Sequence, residues 1–256
     1  GDSPLHRLDP RGKILLTLGY IVGIFVARGA GGYLLSALLI VWLAHLSGIS
    51  MRYLTRGLKP LRFILIFTAL LNLFIANGAE DYIFQLGFLR PTWTGLTNAV
   101  FFALRMIFLV LGTSLLTLTT SPIALTDALE RLLSPLRLIK FPAHELAMMM
   151  TIALRFIPVL LEETDRIMKA QMARGADFET GNLLRRARAM VPLLVPLFIS
   201  AFRRAGDLAM AMEARCYRGG EGRTRMRVLR YGAGDLRAAL VLFAFIALVV
   251  VERVLL

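Results

Sequence analysis

Acidic side chains and thiols are scarce in this sequence, and their scarcity excludes several kinds of chemistry. Asp and Glu number 17 among 256 residues, against 30 Lys and Arg, and they are nearly absent from the apolar runs. Paired acids for proton transfer at membrane depth are therefore missing. The single cysteine, Cys216, excludes an intrachain disulfide and fits a reducing, cytoplasm-facing setting. The three histidines, His6, His45 and His144, have no spacing that assembles a metal site. There is no G-x-x-x-x-G-K-[S/T], so the chain has no P-loop with which to hydrolyse ATP. G-x-S-x-G and H-E-x-x-H are also absent. The expectation is a non-catalytic chain that binds no cofactor or metal.

What is abundant is hydrophobicity. Apolar residues make up 57% of the chain, charged residues only 18%, and the mean hydropathy is +0.67. A soluble domain carries about a quarter charged residues, so this composition predicts an all-α, polytopic membrane protein. Apolar runs at about 14–27, 33–47, 61–76, 93–119 and 236–251 predict five transmembrane helices. Basic residues before the first run resemble a signal peptide, but the runs that follow mark it as a retained helix. The chain opens on Gly1 rather than Met, which fits a trimmed start.

The net charge of +13 could suggest nucleic acid, but its placement points elsewhere. Of the 30 Lys and Arg, 19 lie between Arg131 and Arg237, with smaller groups at Arg7–Lys13 and Arg52–Arg62. The loop 77–91 holds only Arg90, beside Glu80 and Asp81. This alternation follows the accumulation of Lys and Arg on cytoplasmic loops, and no nucleic-acid motif accompanies it. Arg105, inside the fourth run, reads as a structural arginine bonded to carbonyls or a carboxylate of the bundle. His45 reads as a packed or interfacial residue.

Residues 121–230 differ in kind from what flanks them. The expected organisation is 1–120 as N-terminal transmembrane helices, 121–230 as a cytoplasmic region, and 231–256 as a C-terminal transmembrane helix. Ser121-Pro122 is a helix start, with Ser as cap and Pro at the first helical position. The short amphipathic helix it opens stops at Ser134-Pro135. A second start at Pro142 opens a helix reaching Arg174 through Pro158, which removes one backbone bond and predicts a kink. Glu162/Arg166 and Asp165/Lys169 stand at i,i+4 with the acid first, as on a solvated helix. The third start, Asn182, opens a helix to about Cys216 through Pro192 and Pro196. Each long helix would measure roughly 45–50 Å. Leu146–Leu161 and Met190–Phe202 are apolar enough to span a membrane, but the charges at their ends favour helices lying along its boundary. Ala201, Ala205 and Ala209, with Gly206 alongside, form a small-residue row on which the two helices would cross.

Both long helices close on one signature, A-x-x-A-R-small. The first copy is Ala170-Gln171-Met172-Ala173-Arg174-Gly175 and the second is Ala211-Met212-Glu213-Ala214-Arg215-Cys216. An arginine in the last turn faces the negative end of the helix dipole, so either copy alone is an ordinary stop. Repetition 41 residues apart gives it another meaning. Small alanines let a helix end enter a groove, and the guanidinium offers a planar fork to carboxylates or carbonyls of a partner. Two equal tips imply two equal sockets. Cys216 stands where the first copy has Gly175, so a left-handed stop is less expected there and the helix could run on to Gly219-Gly220.

In these features the chain resembles the transmembrane T component of energy-coupling factor (ECF) transporters, the EcfT/CbiQ-like family of ABC importers for vitamins and metal ions. The resemblance also rests on Leu5-His6-Arg7-Leu8-Asp9-Pro10-Arg11, on Leu154-Arg155-Phe156-Ile157-Pro158 followed by Glu162-Glu163, on Pro196-Leu197-Phe198, and on Ala209 to Gly219. It implies two long coupling helices crossing in an X in a bacterial or archaeal plasma membrane protein with a cytoplasmic N-terminus. Their tips, at Ala173, Arg174 and Gly175 and at Ala214, Arg215 and Cys216, would dock on two ATP-binding-cassette subunits, which hold ATP and Mg. Pro158, Pro192, Pro196 and the alanine row would serve the crossing and the contact with a membrane-embedded, substrate-binding S component. Two alternatives remain at this stage. A polytopic enzyme acting on a lipid or isoprenoid would need the missing acids, and a self-sufficient carrier would use Arg105 as its pathway residue.

Overall fold

The computed structural model describes residues 3–75, 93–178, 182–220 and 229–255, and every regular element among them is helical. The loop 77–91, expected to face outward, lies outside the described residues. The chain forms two compact units, Gly1–Ala128 with Arg227–Leu256, and Leu129–Met226.

The first unit holds α1 (Pro10–Val26), α2 (Ala30–Ser47), α3 (Met51–Arg56), α4 (Arg62–Ile75), α5 (Trp93–Thr119) and α9 (Ala233–Leu255). Its helix ends are tied together by polar groups that hydropathy does not reveal. Asp9 caps α1, accepting from the Arg11 backbone N–H at 2.9 Å, with Pro10 at the first helical position. Burial alone would raise the Asp9 carboxyl, but the Arg11 guanidinium and backbone N–H on it hold it below the ordinary carboxylate range. Asp235 joins the starts of α1 and α9, accepting from Asp9 N at 2.9 Å and Gly232 N at 2.8 Å. Lys13 Nζ donates to the carbonyl of Thr119 at 2.9 Å, placing a cation on the C-terminal end of α5, where the dipole favours it.

Inside this unit the helices meet through glycines. A Cβ on Gly112 would collide with the Tyr20 ring, and one on Gly23 would lie 2.8 Å from Phe245. Small residues at such points let helix backbones approach closely. The approach buries Tyr20, Ile24, Ile40, Phe108, Leu115, Phe245 and Val249 in one cluster, with the Tyr20 hydroxyl donating to the Phe108 carbonyl at 3.0 Å. Outward faces carry large apolar side chains such as Phe25, Leu38, Phe63 and Phe243. That is the pattern of a surface solvated by lipid.

The division falls within α6 (Pro122–Leu133), a helix opened by the Ser121 hydroxyl accepting from Ala124 N at 3.3 Å. A 3₁₀ turn follows at Ser134–Ile139. The second unit is built on α7 (Ala143–Ala173) and α8 (Leu183–Ala214), of 31 and 32 residues. At 1.5 Å per residue each is roughly 46–48 Å long. Both helices run unbroken through their prolines, Pro158 in α7 and Pro192 and Pro196 in α8.

Five described helices are long and apolar enough to cross a membrane, three of them at the expected runs 33–47, 93–119 and 236–251. They are α2, α5, α7, α8 and α9. The other two expected spans, α1 of 17 residues and α4, are shorter over the described residues, whereas α7 and α8 were expected along the membrane boundary. Hydropathy measures apolar content and is blind to what covers it. Only 6% of the apolar window of α7, and of α8, is buried within the chain, against 33% for α2 and 22% for α5.

Candidate functional site

The two signature copies fold into the same helix stop. At the end of α7, Gly175 N donates to Met172 O at 2.9 Å and Ala176 N to Gln171 O at 3.0 Å. At the end of α8, Cys216 N donates to Glu213 O at 2.8 Å and Tyr217 N to Met212 O at 3.0 Å. Both are Schellman closures, in which one left-handed residue turns the chain so that two later N–H groups satisfy the last carbonyls. The left-handed residues are Gly175, φ 88°, and Cys216, φ 54°.

The expected continuation of α8 to Gly219-Gly220 is therefore corrected. The helix ends at Ala214, and Cys216 accepts the strained backbone in spite of its Cβ. Two carbonyl bonds are recovered by that turn, which offsets the local steric cost. As a result Arg174 and Arg215 occupy the same cap position, each following an alanine and preceding a left-handed residue. All six residues, Ala173, Arg174, Gly175, Ala214, Arg215 and Cys216, are exposed.

The helices carrying these tips are joined by an ion pair the sequence reading missed. Arg204 Nη2 donates to Glu163 Oε2 at 2.8 Å across α8 and α7. Glu163 and Arg204 each stand eleven residues before their tip arginine, and 41 residues separate them, the spacing of the two signatures. Equivalent positions of the two helices thus touch each other, leaving arms of equal length, roughly 16–17 Å, from this contact to either tip. The repeat distance was the signal that could have revealed the pair. The expected i,i+4 pairs Glu162/Arg166 and Asp165/Lys169 form no ion pair; all four residues are exposed, where ordering long side chains cancels most of the attraction.

Leu193 is buried and Ala201 half-buried, whereas Ala205 and Ala209 are exposed and nothing lies within 4 Å of a Cβ on Gly206. Pro158 and Pro192 are exposed and Pro196 half-buried. These faces are available to another chain.

Past the second tip, the Tyr217 hydroxyl lies 3.4 Å from His144 Nε2, and His144 Nδ1 lies 2.9 Å from Glu130 Oε1. The end of α8 is thereby tied to the start of α7 and to α6, a link with no sequence signal because its members are far apart in the chain. In the first unit, Arg105 Nη2 donates to the Ala27 carbonyl at the end of α1 at 3.1 Å, the structural role expected of it. His45 is exposed in the last turn of α2.

Comparison with known proteins covers most of the chain. The family model of the cobalt transport protein CbiQ matches residues 1–226. A protein of Thermosediminibacter oceani named energy-coupling factor transporter transmembrane protein EcfT is 61% identical over 238 residues, 93% of this chain and 89% of that protein. A Clostridium kluyveri protein of the same name is 53% identical over 254 residues, covering 99% and 94%. One from Bacillus subtilis is 48% identical over 248 residues, covering 97% and 93%.

Proposed function

Because the chain belongs to the CbiQ cobalt transport protein family, we propose that it is the non-catalytic transmembrane coupling subunit of an ECF-type importer, docking two ATP-binding-cassette ATPases at Arg174 and Arg215. The observation that carries this reading is the pair of matching exposed stops on α7 and α8. An exposed guanidinium at a helix end, beside a methyl-sized alanine, suits a groove whose floor offers carboxylates or carbonyls. Equal tips suit two copies of one socket, or two closely related sockets.

ATP and Mg belong to the partner ATPases in this mechanism, and this chain's residues transmit displacement. Closure of the ATPase pair moves the tips. The Glu163–Arg204 contact joins the two arms, so displacement of one tip is felt by the other. The exposed faces of α7 and α8 then carry the movement to a membrane-embedded S component, which brings a vitamin or metal ion through the membrane. The N-terminus and the coupling helices face the cytoplasm, as the basic residues concentrated between Arg131 and Arg237 favour.

The test replaces both arginines. Arg174→Ala with Arg215→Ala is expected to leave the protein inserted in the membrane while ATPase co-purification falls at least tenfold and uptake stops. Undiminished co-purification with full uptake would remove the docking role.

A further inference from the structure

A cavity of about 670 Å³ opens among α1, α2, α5, α9 and the N-terminal segment, all within the first unit. Its walls are apolar, formed by side chains such as Ile40, Leu116 and Leu242, and its volume falls in the range of small-molecule sites, ~300–1,000 Å³. The charged residues lining it, Arg7, Lys13 and Arg237, gather at one end. The hydrogen bonds define that end: Lys13 at the start of α1 meets the last residue of α5, and Asp235 at the start of α9 meets Asp9. From Lys13 the cavity follows α1 inward to Tyr20, roughly 10 Å along the helix. At the other end of α2 and α9, Gly31 and Gly32 abut Glu252, while Ile40 and Leu43 of α2 and Ala238 and Val241 of α9 line the cavity.

The charges at this mouth are unevenly committed. Lys13 Nζ donates to His6 O, Thr119 O and Thr120 Oγ1, which uses all its protons. Asp9 is engaged by Arg11, and Asp235 by two backbone N–H groups. Arg7 is exposed and has no side-chain partner among the described residues. Arg237 is also exposed and commits only Nε, at 3.4 Å, to the Ala233 carbonyl. Two forked cations therefore stand without an ion-pair partner over an apolar slot, and Trp42, a residue type that favours the headgroup layer, lines its side. Water is poorly held by such walls. An amphiphile with an anionic head and an apolar tail matches both the lining and the charge.

We infer that this cavity is a binding site for one anionic phospholipid, its phosphate at Arg7 and Arg237 and an acyl chain between α1, α2, α5 and α9. Native mass spectrometry of the full chain, taken from nanodiscs of mixed phosphatidylglycerol and phosphatidylcholine, tests it. The expected result is one retained phosphatidylglycerol per chain, preferred over phosphatidylcholine by about twenty-five-fold, since each of the two interfacial arginines contributes roughly fivefold. Arg7→Gln with Arg237→Gln, both at exposed positions, should abolish the preference, and Ala238→Phe, which fills the slot, should abolish retention. Equal retention of both lipids by the parent chain would overturn the site, as would no retention, or a preference that survives the arginine pair. Retention by a folded Ala238→Phe chain would also overturn it, and if that chain fails to fold, the arginine pair decides.

Discussion

Cys216 shows how a single residue is overruled by the turn it serves. A side chain at φ 54° meets the steric penalty of the left-handed region, about 1–2 kcal/mol, which is why the residue type argues against a stop. The stop occurs regardless, and its two closing bonds satisfy the carbonyls of Glu213 and Met212. At Gly175, φ 88°, the same turn costs no such strain, and a Cβ there would meet nothing within 4 Å. The cost of a side chain at Gly175 is therefore purely backbone. Cys216→Gly is expected to raise the unfolding free energy by about 0.5–1 kcal/mol, the relieved strain exceeding the extra entropy of an unfolded glycine, and Gly175→Ala to lower it by a similar amount. Denaturant titration in detergent would measure both. No gain for Cys216→Gly would mean that the left-handed turn at the second tip is wrong.

Among the elements, the starts and stops of α6, α7 and α8 were largely readable, since Ser121-Pro122, Pro142, Asn182 and the two arginines mark them chemically. What joins α7 to α8 was not. Helical periodicity reports which residues share a face and does not report which face meets another helix. The Glu163–Arg204 pair is partly exposed, so its contribution is modest, and its value is in register: it holds the two arms at equal length. A double-mutant cycle with Glu163→Gln and Arg204→Gln should give a coupling energy of about 0.5–1 kcal/mol. A coupling indistinguishable from zero would leave the arms without this tie.

At the scale of the whole molecule, equal tips predict equal consequences. Arg174→Ala and Arg215→Ala, introduced singly, should each reduce the retained ATPase from two copies to one, as counted by native mass spectrometry; loss of both copies from one variant and none from the other would show the sockets to be unequal. Apolar content, the scarcity of acids and the repeated arginine signature determined by themselves an all-α membrane protein with two matching ends, because composition and local capping chemistry act within a few residues. The tertiary structure alone decided which apolar helices are enclosed, how Asp235 and Lys13 tie helix ends together, where Glu163 meets Arg204, and that α1, α2, α5 and α9 line a cavity. Those outcomes depend on contacts between residues distant in sequence, and hydropathy and helical period carry no information about which distant partner a face will find.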